Sequence, residues 1–282
     1  MPGNVFITGA SAGIGAAATR LLADRGYTVY AGVHKDTGSL DAIPGVRQVP
    51  IDVTDPVSVA AAADRVAALT GNDGLRAVVN CAGLIVQGPL ELVRPDDLRH
   101  QFEVNAFGPA YVTSAFLPLL RAGHGRVINI SAQTARIPAP FLAALAGSKA
   151  ALASMSGALR LELAAWHIPV CLIEPGATQT EIFAKAAAAA RSSLAGADPG
   201  LAGLYRDQLA AFDRVASRQK LGPVEPIART IRTAIEVRRP RRRYSVGTGV
   251  RLGGVLAHLP AGLRERLIAT LFGLGKVAGT AR

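Results

Sequence analysis

The chain is poor in cysteine and aromatics and has no long apolar run. Among 282 residues only Cys81 and Cys171 carry thiols. Two cysteines cannot make a disulfide framework, and both lie in apolar runs, so they read as buried reduced thiols. Phe, Trp and Tyr together make up 5%. No uninterrupted apolar stretch reaches the roughly 18 residues of a membrane span. The opening MPGNVFITGASAGIG lacks a basic segment followed by an apolar stretch and a cleavage site. No secretory signal is therefore evident, and a cytoplasmic protein is expected. No residues stand at metal-ligand spacing, His100 and Glu162 included, so no metal is expected.

What is present points to a folded globular chain. Half of the residues are hydrophobic and 18% are charged, which excludes disorder. Thirty glycines and 17 prolines are scattered rather than periodic, which excludes a collagen-like repeat. The formal charge is +11, and a surplus of this size raises the question of a nucleic-acid or membrane partner. The densest charge, residues 238–243, has only Tyr244 beside it. Without interleaved aromatics or a recognisable module it reads as an exposed loop, and no nucleic-acid partner is expected.

Short apolar runs alternate with helical patterns. Strands are expected at 5–8, 28–33, 46–51, 76–80, 126–131, 170–173 and 243–246, and crossover helices at 14–25, 57–69, 95–120 and 141–166. Near-continuous apolar strands fit a parallel sheet covered on both faces. The alternation predicts a doubly wound α/β fold with ligand loops at the carboxyl ends of the strands. Residues 177–222 read as two helices with a break, inserted like a lid. Residues 250–282 read as an apolar, glycine-interrupted helical extension, so one domain is expected over 1–249 with an extension behind it. The extension could fold onto the domain, meet another subunit or touch a membrane surface, and its glycines favour folding onto the domain.

Thr8-Gly9-Ala10-Ser11-Ala12-Gly13-Ile14-Gly15 follows the first strand and opens a helix. Glycines there permit a tight turn and close backbone approach to a pyrophosphate, which the helix N-terminus attracts. Asp52-Val53-Thr54-Asp55 follows the third strand and Asn80-Cys81-Ala82-Gly83 the fourth. Val104-Asn105-Ala106-Phe107-Gly108 lies in a long helix, Gly147-Ser148-Lys149 in another, and Pro175-Gly176-Ala177-Thr178-Gln179-Thr180 follows the sixth strand. In this order the motifs resemble the short-chain dehydrogenase/reductase family over about residues 3–180.

The resemblance implies a Rossmann-like fold that binds NAD or NADP. It places Gly9, Ser11, Gly13, Ile14 and Gly15 at the pyrophosphate and Asp52 and Val53 beside the adenine. Asn80, Ala82 and Gly83 would flank the adenine ribose and the central crevice of the sheet, and Pro175, Gly176, Thr178 and Thr180 would hold the nicotinamide end. An NAD-preferring relative needs an acid at the tip of the second strand to accept from the ribose 2′-OH. Here Val33 stands there, followed by His34 and Lys35, so NADP(H) is expected over NAD(H).

The same resemblance implies a Ser–Tyr–Lys–Asn centre. Asn105 and Lys149 match it, but counting back four residues from Lys149 gives Leu145 instead of tyrosine, and the serine position is Ala132. A one-residue bulge would be needed to bring Ser131 into the serine's place. Two readings follow. In one the chain is an NADPH-dependent ketoreductase acting on a sizeable apolar ketone. Its proton would then come from the substrate's own hydroxyl or from water. Ala132, Gln133, Leu145, Phe183 and Tyr205 are the candidate substrate contacts. Phenol-bearing polycyclic ketones offer such a hydroxyl, and the Ala-, Arg- and Gly-rich composition resembles, in outline, atypical reductases of angucycline-type aromatic polyketide (antibiotic) biosynthesis. In the other reading the chain is a silent NADP(H)-binding sensor or subunit. Family members form dimers or tetramers through the helices that carry Asn105 and Lys149, so a homo-oligomer is implied as well.

Overall fold

The computed structural model of the protein describes residues 2–34 and 40–274. Its seven strands are β1 (Asn4–Thr8), β2 (Thr28–Val33), β3 (Val46–Pro50), β4 (Ala77–Asn80), β5 (Val127–Ile130), β6 (Val170–Pro175) and β7 (Arg243–Val246). They form one parallel sheet in the order β3-β2-β1-β4-β5-β6-β7. All seven coincide with expected strands to within two residues at each end. The apolar runs are continuous because both faces are covered: Val5 and Ile7 face one core, Phe6 the other. Alternate side chains of a strand point to opposite faces.

The helices are α1 (Gly13–Ala23), α2 (Pro56–Thr70), α3 (Pro95–Phe102), α4 (Gly108–Ala122), α5 (Ala143–Glu162), α6 (Glu181–Ala195), α7 (Pro199–Leu204), α8 (Arg206–Ala216), α9 (Glu225–Glu236), α10 (Val250–Leu256) and α11 (Ala261–Leu271). α1 and α9 cover one face of the sheet, with Leu22, Ile227, Ile231 and Ile235 fully buried there. α2 and α4 cover the other with Val59, Val66, Val112 and Phe116. Buried Arg126, just before β5, donates to the carbonyls of Ala234 (2.7 Å) and Val237 (2.8 Å). It thereby satisfies orphan carbonyls at the negative end of α9.

Three expectations need correction. The helix expected over 95–120 is two helices joined by a π-helical stretch, Glu103–Phe107. A π turn adds about one residue to a helical turn, and a single phase shift inside one long apolar pattern was read through. The insertion holds three helices, α6 to α8, because Asp198 caps a new helix by accepting from the Leu201 N–H before Pro199 starts it. Helix α9 was not anticipated. The exposed arginine loop also loses a member. Arg243 is in β7 and pairs with Glu174, whose side chain is almost fully buried, while Arg136 approaches the same carboxylate at 3.6 Å.

Candidate active site

The sheet reverses its winding between β1 and β4, and such a switch point opens a crevice at the carboxyl ends of the strands. The hydroxyl of buried Thr8 at the end of β1 accepts from the backbone N–H groups of Cys81 (3.0 Å) and Ala82 (3.1 Å) beyond β4. This draws the two strand ends together. Gly9 sits at φ +64°, and a Cβ there would lie 2.8 Å from the Ala82 Cα. A Cβ on Gly15 would lie 2.1 Å from the Gly9 carbonyl oxygen. Only glycine fits either position, and the turn between them leads straight into α1.

A cleft of about 490 Å³ opens above this turn. It is lined by Gly9, Ser11, Gly13, Ile14, Gly15, His34, Asp52, Val53, Ala82, Gly83 and Thr180, all of them expected cofactor residues. Ala12 caps α1 with no side-chain hydrogen bond, so the first N–H groups of the helix are left for an anion. Lys35, also expected here, lies outside the described residues. The cleft fits a dinucleotide: a glycine-only turn, an uncapped helix N-terminus, and walls from both sides of the switch point.

At one end of the cleft, His34 Nε2 lies 3.6 Å from Asp52 Oδ2. The Asp52 carboxyl is held below the ordinary carboxylate range. Hydrogen bonds from the Thr54 hydroxyl (2.7 Å) and backbone N–H (2.9 Å) lower it most, and His34 adds to this. Val33 is buried and presents no carboxylate at the tip of β2. His100, Val104, Ile182 and the Glu181–Lys185 pair also border the cleft and were not anticipated.

Asn80 does not reach the cleft. Its amide nitrogen donates to Asn129 Oδ1 (2.7 Å), Thr113 Oγ1 (3.1 Å) and the Pro109 carbonyl (3.4 Å). It joins β4 to β5 and α4, the local-structure role that a strand-end asparagine can always take instead. Pro175, Gly176 and Thr178 do not line the cleft either. They are held in the β6–β7 corner, where the Gly176 N–H donates to the Val246 carbonyl (2.9 Å) and Thr178 Oγ1 to the Gly176 carbonyl (2.8 Å).

Asn105 and Lys149 stand behind the wall of the cleft. A Cβ on Gly83 would be 3.3 Å from Asn105 Oδ1 and 3.7 Å from Lys149 Nζ. Asn105, in the π stretch, grips the Leu84 backbone from both ends. Its Oδ1 accepts from the Leu84 N–H (3.0 Å) and its Nδ2 donates to the Leu84 carbonyl (2.9 Å). The same carbonyl also accepts from Gln101 Nε2 (2.9 Å), while Gln101 Oε1 accepts from the Val86 N–H (2.6 Å). Gln101 and Ser148 complete this buried cluster. Neither was anticipated, although Gln101 stands four residues before Asn105. The cluster makes Asn105 a holder of the Gly83–Val86 loop.

Lys149 Nζ donates to the Ile130 carbonyl at 2.7 Å. Burial lowers its pKa from 10.5 to about 8. Burial likewise pushes the Cys81 thiol up to about 12. Leu145 lies one turn before Lys149 on α5 and is buried. Ala132 begins the short turn Gln133–Ala135. Ser131 is directed away, its hydroxyl donating to the Lys149 carbonyl at 3.4 Å, so no bulge restores it.

None of the five expected substrate residues lines the cleft. Gln133 lies against α10, where a Cβ on Gly253 would meet its side chain at 3.1 Å. Tyr205 turns outward and donates to Glu91 at 2.7 Å, which bridges the insertion to the loop after β4. Phe183 is half-buried on α6. Phe141, just before α5, meets Phe212 of α8 edge-on, and Phe212 stacks on Phe272 beyond α11, each pair at 5.5 Å. The insertion thus meets the loop that precedes Leu145, and the extension meets the insertion. Among the described residues no group of three potential metal ligands is found and no helix is long and apolar enough to cross a membrane.

The family profile described as short chain dehydrogenase matches residues 3–191. The human 17-beta-hydroxysteroid dehydrogenase type 2 is 33% identical over 96% of this chain and 74% of its own length. A short-chain dehydrogenase from Streptomyces avermitilis superposes with a TM-score of 0.76, at 26% identity over 98% of this chain and 97% of that one. Another, from Burkholderia cenocepacia and solved with NADP, gives a TM-score of 0.73 at 29% identity over 94% of this chain and 96% of that one.

Proposed function

Since the chain belongs to the short-chain dehydrogenase family, we propose that it is an NADPH-dependent reductase of a sizeable apolar ketone, polycyclic or aromatic-polyketide-like, whose proton comes from the substrate's own hydroxyl or from water. The observation that carries the reading is the cleft, in which the glycine turn, the uncapped start of α1, Asp52 and Gly83 face one space. A bound nicotinamide supplies the hydride. The chain supplies position: the α1 N–H groups hold a pyrophosphate, Gly83 and Leu84 bound the middle of the cleft, and Asn105 with Gln101 keeps that loop in register. Lys149, behind Gly83 and now donating to the Ile130 carbonyl, would donate a hydrogen bond to the cofactor ribose. The NADP preference rests on Val33 and His34 at the tip of β2 and is supported by the NADP-bound relative.

Leu145 has no proton to give and Ala132 no hydroxyl to polarise a carbonyl. A substrate whose hydroxyl already bonds its ketone carries its own donor at high effective molarity. Spectrophotometric turnover with hydroxyl-flanked polycyclic ketones beside simple ketones tests this. Consumption of NADPH is expected with the former and about 10²-fold less with the latter. Tight NADPH binding with no consumption on any ketone would overturn the reductase reading and leave a silent cofactor-binding subunit.

A further inference from the structure

α10 and α11 are fastened to the domain by one side and carry bare apolar side chains on the other. The fastened side has Leu256 and Ile268, each 8% exposed, the Gly253–Gln133 contact, and Phe272 stacked on Phe212. The other side shows Leu252 (56% exposed), Val255 (63%), Leu263 (48%), Leu267 (39%) and Leu271 (51%). On α11 these leucines recur at every fourth residue and make one stripe. Scattered single leucines on a surface need no explanation. Here five of the fifteen strongly exposed large apolar residues among those described fall between 250 and 271, and such clustering marks a contact surface.

The sequence charge of this segment, with Arg266 exposed on α11, selects the occupant. Residues 250–282 hold five cations, Arg251, Arg264, Arg266, Lys276 and Arg282, against the single anion Glu265. A two-fold contact with a second copy would set this basic arm against itself. An anionic bilayer accepts both parts, leucines at the acyl boundary and arginines at the phosphates. We propose that α10 and α11 form a docking surface for an anionic lipid membrane. Because α10 also touches Gln133, a docked chain would hold the ketone site of the reading above close to the lipid in which an apolar substrate dissolves. That corollary rests on the reductase reading; the docking itself does not.

Co-sedimentation of the full chain with vesicles decides it. The chain is expected to bind phosphatidylcholine vesicles containing phosphatidylglycerol, to leave pure phosphatidylcholine vesicles in solution, and to be released by high salt. Leu263→Asp with Leu267→Asp should lower the bound fraction about tenfold or more, with NADPH binding unchanged. Where that variant does not fold, Arg266→Glu, which keeps every leucine, should still weaken anionic binding several-fold. No preference for anionic vesicles would overturn the proposal. So would unchanged binding in the folded variant, or self-association in ultracentrifugation that the leucine changes abolish without vesicle binding. NADPH turnover plays no part in this readout, so the two readings can fail separately.

Discussion

Leu145 and Lys149 stand on successive turns of α5, and the proposed reading takes Leu145 to stand where a proton-passing tyrosine would be. Since Ser131 turns away, both missing groups must be supplied together. Ala132→Ser with Leu145→Tyr is expected to raise turnover of simple ketones about 10²-fold, the contribution of a general acid. A folded double variant with no gain would show that the pocket is remodelled more widely. The tip of β2 gives a second test. Val33→Asp, which puts a carboxylate where a ribose 2′-OH would need one, should weaken NADPH binding and tighten NADH, shifting their ratio by about tenfold or more in a folded variant. An unmoved ratio would put the tip of β2 outside recognition. That Leu145 lies one turn before Lys149 was legible because four residues are one helical turn and the count holds without coordinates. Asn80 was not, because a buried amide ladder and a ribose contact ask for the same residue at the same strand end.

At the scale of elements, near-continuous apolar runs revealed the inner strands, since a sheet covered on both faces needs no polar alternation, while the edge strands β3 and β7 carry polar residues and were placed by the β/α alternation around them. The spacing of Ile227, Ala228, Ile231, Ala234 and Ile235 in α9 was just as plain a helical signal. It lay in the sequence unread between the insertion and the arginines. The aromatic contacts joining Phe141, Phe212 and Phe272 had no sequence signal, because long-range packing leaves no period. They make a prediction of their own. Phe212 is 5% exposed, so Phe212→Ala should cost about 3–5 kcal/mol of stability in urea unfolding. It should also raise KM for an apolar substrate. NADPH affinity should hold, because Phe212 does not line the cleft. Lost cofactor binding in a folded variant would show that the Phe141–Phe212–Phe272 cluster and the cleft act as one unit.

Across the whole molecule the +11 charge divides by burial. Arg126 and Glu174 are buried with strong partners, the carbonyls of α9 and the arginines Arg136 and Arg243. Lys149 is buried with one carbonyl and, among the described residues, no carboxylate within ion-pair distance. Its folded-state pKa is therefore lowered from 10.5 to about 8. Below about pH 8 folded and unfolded chains both hold the proton, and the folded chain bears the full cost of burying it. Above about pH 8 the folded chain releases the proton while the unfolded chain keeps it, so stability rises with pH. The rise is about 1 kcal/mol per unit. The buried thiols act in the opposite sense. Cys81 is raised from 9 to about 12 and Cys171 from 9 to about 11, so unfolding releases their protons first as pH passes 9. The window for Lys149 is thus pH 8 to 9. Urea unfolding of the cofactor-free protein should show wild type gaining about 1 kcal/mol over Lys149→Met across that unit. Parallel curves would mean that Lys149 is solvated in the folded chain. It could not then be the buried donor that the proposed cofactor geometry requires.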